Sequence, residues 1–123
     1  MPTLLQDGYA LRVEPTGGFS LLDWDADTCP QDVLGADQVR STDLTTQLIM
    51  WTDELAVPLG LPVNAPARQL LHSYQDKPTP VRGVAVFTGS TRGGALLGLT
   101  EDQALMLVDR YLSRYRDVPR PRR

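Results

Sequence analysis

The stretch LGLPVNAPARQLLHSY, residues 59–74, decides how this chain is read. Pro58 and Pro62 bracket Leu59, Gly60 and Leu61, and neither proline can donate to a strand ladder, so regular extended structure stops there. Asn64 then suits a helix N-cap, because its side-chain oxygen can accept a free backbone N–H one turn in. Pro66 falls in the first turn, where its missing N–H costs little. Ala67, Leu70, Leu71 and Tyr74 follow at i, i+3, i+4 and i+7, one apolar face of a short helix. The stretch also holds the only Asn and the only His of the chain, Asn64 and His72. The capping role explains Asn64 completely; a chemical role is the competing reading.

Working outward, residues 9–14 (YALRVE) and 19–24 (FSLLDW) alternate partly and are rich in strand formers. PTGG between them makes a turn, so this is a β-hairpin. Residues 30–34 form one or two helical turns ending near Gly35. Residues 38–44 and 47–51 read as two more strands, the second a buried apolar run, with Asp53 and Glu54 marking the turn after it. Downstream, residues 81–88 (VRGVAVFT) are the clearest strand. Val84, Val86 and Thr88 share one of its faces; Gly83, Ala85 and Phe87 share the other. GSTRGG, residues 89–94, is a loop, and residues 95–99 add a short final strand.

TEDQ at 100–103 is a capping box, with a hydroxyl at the N-cap, Gln at N3 and acids at the positive helix end. The helix runs to about residue 115 on an inner stripe of Ala104, Val108, Tyr111, Leu112 and Tyr115. Residues 118–123 form a basic, proline-broken, disordered tail. Strands joined mainly by hairpins, with helices packed on one side, predict an α+β domain over residues 1–117. It has a small, mostly antiparallel sheet, one short central helix and one longer C-terminal helix.

A chain of 123 residues fits one domain and needs no disulfide framework or structural metal to fold. The hydrophobic fraction of 41% and charged fraction of 22% are those of a globular protein in water. The lone cysteine, Cys29, has no internal partner, and no Cys/His spacing resembles a zinc site. No signal peptide or membrane span is legible, so a cytoplasmic location is expected. Residues 1–76 hold 11 acids and 3 arginines, a net −8; residues 77–123 hold 4 acids and 9 bases, a net +5, which together give the −3 of the chain. The basic C-terminal region points to solvated helix charges or, alternatively, to nucleic acid.

Three constellations carry possible chemistry. Asp23, Asp25 and Asp27 resemble the start of a calcium loop, but Thr28 and Leu34 stand where Gly and Glu are required. His72 as a base with Cys29 or a serine as nucleophile is allowed by sequence, although Cys29 has no activating basic neighbour. GSTRGG offers glycines, two hydroxyls and Arg92, an anion nest with a charged clamp; its structural reading is a hairpin connection. It lacks the GK[ST] ending of a P-loop and the GxGxxG of a dinucleotide fold, so no cofactor is expected.

The order of features from residue 50 to residue 112 resembles the family termed domain of unknown function 3846, small proteins of bacteria, phages and plasmids. MWTDE ends a strand in an aromatic, LGLPVNAPARQLL follows with its short helix, and RGVAVFTG supplies the next strand. Family members typically continue after the Asn with a small residue and an Ala-Thr pair. Here Ala65-Pro66-Ala67-Arg68 stands instead. The resemblance implies a phage or plasmid accessory role and no particular activity.

Together these features predict a small binding module for a host protein or a small anionic ligand such as a nucleotide, as monomer or homodimer. Its expected surface joins Asn64 and Trp51 to the loop of Ser90, Thr91, Arg92 and Gly93. A small hydrolase or nucleotide-processing enzyme using His72, and nucleic-acid binding through the Arg-rich C-terminus, are the alternatives.

Overall fold

The computed structural model describes residues 8–25, 27–76, 79–92 and 95–116, with the backbone alone for Thr91, Arg92, Ala95 and residues 114–116. The expected tail, the Tyr115 side chain and Gly93 lie outside the described residues. Strands β1 (Gly8–Val13), β2 (Phe19–Trp24), β3 (Val39–Thr45), β4 (Leu48–Asp53) and β5 (Ala85–Gly89) form a five-stranded sheet in the order β2-β1-β5-β4-β3. Every pairing in it is antiparallel. Helices α1 (Pro30–Leu34), α2 (Ala65–His72) and α3 (Glu101–Arg116) complete the α+β fold.

All five residues of β5 are buried, as a central strand covered on both faces requires. Its alternation separates two cores. On one face Phe87 and Ala85 join Leu11, Val13, Met50, Leu70, Leu71 and Leu107, beneath α2 and α3. On the other, Val86 joins Ala10 and Trp24, against Val33 and Leu34 of α1. The expectation that the helices share one side is therefore corrected: α1 covers the opposite face. Val84 and Val86 leave an apolar surface there that a polar face would not need covered.

Two boundaries also move. The strand expected over 81–88 begins only at Ala85. Gly83 adopts a φ of 75°, and residues 81–83 turn away to meet the 62–64 segment through a Val63–Arg82 bridge. The 89–94 loop contains a two-residue strand, β6 (Thr91–Arg92), paired with β7 (Ala95–Leu96). Leu99 does not extend β7; it exchanges both backbone hydrogen bonds with Tyr9, at 2.9 and 2.7 Å.

The capping box forms as expected. Gln103 N donates to Thr100 Oγ1 at 3.1 Å and Thr100 N to Gln103 Oε1 at 2.9 Å. Ala104 and Tyr111 are buried beneath α3 together with Leu107, which the expected stripe omitted. The spacing 104, 107, 111 marks the same face.

Candidate functional site

Asn64 is a fully buried structural residue. Its Oδ1 accepts Ala67 N at 3.0 Å, and its Nδ2 donates to Gly83 O at 2.7 Å and Val13 O at 3.0 Å. The amide thus stitches the start of α2 to the segment before β5 and to the end of β1. With its donors and acceptor engaged in the interior, it presents nothing to a ligand.

The expected surface joining Asn64 to Ser90 is not assembled. Asn64 sits beside Gly83, ahead of β5, whereas Ser90 follows β5, roughly 20 Å along at about 3.3 Å per residue. Trp51 lies between them on the α1 face, its indole Nε1 donating to Thr88 Oγ1 at 2.9 Å. Ser90 lines a separate cavity of about 280 Å³ with Gln47, Gly98, Thr100 and Gln103. Thr91 and Arg92 carry β6, so their backbone is engaged in a ladder, Arg92 opposite Ala95 and Thr91 opposite Leu96. The hairpin reading of this loop describes that backbone.

His72 and Cys29 are kept apart as well. His72 ends α2 on one face of the sheet, where its Nε2 accepts Thr79 N at 3.4 Å. Cys29 caps α1 on the other. Among the described residues no group of three or more His, Cys, Asp or Glu side chains is placed to hold a metal ion.

The acidic DWDAD run is used for a turn. Asp25 Oδ1 accepts Asp27 N at 2.9 Å and the Thr28 hydroxyl at 3.0 Å. Those bonds, the Asp27 N–H foremost, hold the Asp25 carboxyl below the ordinary carboxylate range.

A charged concavity lies elsewhere, at the junction of α2 with the segment that leads to β5. Gly83 N donates to Pro62 O at 2.8 Å and Asn64 N to Val81 O at 2.7 Å. This pattern makes Val63 and Arg82 a closely spaced pair whose side chains leave the same face. Arg82 is held by its Nη1, which donates to Leu61 O at 3.0 Å. Arg68 stands one turn into α2 and Val63 just before its cap, positions that lie against each other at a helix start. Val63, Arg68 and Arg82 line a cavity of about 270 Å³ with Thr79, Pro80 and Val81.

A smaller recess of about 60 Å³ shares Thr79, Pro80 and Arg82 and continues to Arg40 on β3. Asp53 and Glu54 also line it. Asp53 Oδ1 accepts Leu55 N at 2.8 Å. Among the described residues the ion pair formed is Arg12 with Glu14, at 4.0 Å, so Arg40, Arg68 and Arg82 have no carboxylate partner there. Two of the three arginines in the acid-rich first 76 residues therefore flank Arg82, Arg68 in the cavity and Arg40 in the recess that adjoins it, and the two concavities together form an arginine cleft.

None of these three arginines stood out in the sequence. Their one local signal was the spacing of Val63 and Arg68 about a helix cap. The pairing of residue 63 with residue 82, and the approach of β3, are long-range. No helix among the described residues is long and apolar enough to cross a membrane. In comparisons with known proteins, no family model, curated protein or solved structure matches the chain.

Proposed function

We propose that this chain is a non-enzymatic binding module that receives an anionic group in the cleft of Arg40, Arg68 and Arg82. The observation that carries this reading is Arg68 and Arg82 lining one cavity and Arg40 the recess that adjoins it, none of them ion-paired with a carboxylate among the described residues. Unpaired like charges repel in a folded protein, and a bound anion removes that cost. Arginine presents a planar fork of donors suited to carboxylate or phosphate. Arg82, anchored on Leu61 O, is already positioned, so less ordering is lost on binding. The accessory role implied by the family resemblance belongs to the same proposal.

Thermal unfolding in phosphate, sulfate, acetate and chloride at matched ionic strength tests it. An anion bound by the folded state raises the melting temperature in a saturable way. Phosphate or a carboxylate should do so beyond chloride, and Arg68→Ala combined with Arg82→Gln should abolish the increment. An equal increment in the double variant contradicts the reading.

A further inference from the structure

The segment that supplies Val57 and Val63 to the arginine cleft is apolar in an unusual way. Leu55, Val57, Leu59 and Val63 are 43%, 68%, 61% and 50% exposed, four large aliphatic side chains within nine residues. Val57 lines the recess shared with Arg40, and Val63 lines the cavity shared with Arg68.

These side chains stand on a braced segment. Leu59 N donates to Leu55 O at 3.0 Å, Gly60 N to Val57 O at 2.9 Å and Leu61 N to Ala56 O at 3.0 Å. Ala56 packs inward, and Gly60 closes the turn at a φ of 67°. A turn so closed holds its aliphatic side chains out in water at a hydration cost, and an ordered rim loses little entropy when something covers it.

From this pairing of charge and apolar rim we infer that the cleft docks a partner protein through an acidic segment interspersed with aliphatic side chains. The inference rests on the anion-binding reading above and specifies its ligand. Carboxylates of the segment meet Arg68 and Arg82, while its aliphatic residues cover Val57, Leu59 and Val63. Mixed recognition of this kind desolvates the arginine contacts, which strengthens them.

A nucleic acid fits the same cleft poorly. Among the described residues no aromatic side chain lines either cavity to stack a base. The chain carries a net charge of −3 and residues 1–76 alone −8, a field that repels a long polyanion. Asp53 and Glu54, which line the recess, add to that repulsion. A short segment with a few carboxylates avoids most of it.

The test is selection from a displayed random-peptide library on the full chain, beside a random single-stranded DNA pool. Selected peptides are then measured by fluorescence anisotropy against the wild type and two variants. One variant is Arg68→Ala with Arg82→Gln; the other is Val57→Ser with Val63→Ser, at surface positions that leave the core intact. The expected peptides combine Asp or Glu with Leu, Ile or Val and bind each variant about tenfold or more weakly. Peptides without acids, affinities that the Val variant leaves unchanged, or enrichment of DNA in place of peptide overturn the inference. Because inorganic phosphate stabilisation is read on the same samples, its persistence alongside any of those results leaves the anion site standing. Its absence would overturn both.

Discussion

The side-chain amide of Asn64 donates to the carbonyl of Gly83 at 2.7 Å, and the same nitrogen reaches Val13 O at 3.0 Å. Asn64 is thus more than a cap. One side chain joins a helix start, the approach to the central strand and the end of β1. Replacing it with Ala removes a capping acceptor, ordinarily about 0.5–2 kcal/mol. It also strands two buried carbonyls, each at about 1–3 kcal/mol. Since such losses do not add fully, Asn64→Ala should lower stability by about 3 kcal/mol in urea unfolding. Asn64→Asp should also destabilise, because a carboxylate cannot donate to either carbonyl. A loss below about 1 kcal/mol for the Ala variant would show that the two carbonyl contacts contribute little.

Tyr111 fastens α3 to the first hairpin. Its hydroxyl donates to Gly17 O at 2.6 Å, and its ring meets Phe19 edge-on, with centroids 5.2 Å apart. Tyr111→Phe keeps the ring contact and loses the bond, so stability should fall by about 0.5–1.5 kcal/mol. Tyr111→Ala should cost about 3–5 kcal/mol through lost packing. Chemical denaturation of the two variants separates hydroxyl from ring.

Asp25 gives an acid dependence whose sign is fixed by its bonds. The folded state holds the ionised carboxyl below its ordinary range. Its contribution is therefore full above the unfolded value and is lost as pH falls through the lower, folded value. A carboxyl NMR titration should place Asp25 below the ordinary aspartate range, and Asp25→Asn should flatten the acid limb of stability. A midpoint at or above the ordinary aspartate value contradicts this.

Much of the fold was legible because its signals are local. The residues of β2 and α1, the Thr100–Gln103 box and the Asn64 cap each depend on neighbours within a few positions. Residues 81–88 show where local reading stops. Val81, Arg82 and Gly83 alternate like strand, yet a positive φ at Gly83 and pairing with Val63 divert them. The arginine cleft was illegible for the same reason. Arg40, Arg68 and Arg82 are ordinary surface charges in sequence, and only the strand order and the 63–82 bridge bring them together.

The central claim is where an anion binds. A titration of the isotope-labelled chain with inorganic phosphate, read in backbone and arginine side-chain NMR correlations, measures this directly. The cleft predicts saturable shifts at Val63, Arg68, Thr79, Val81 and Arg82, with smaller ones at Arg40. Shifts confined to Ser90, Thr91, Arg92 and Gly93, or no saturable shift at all, would contradict it.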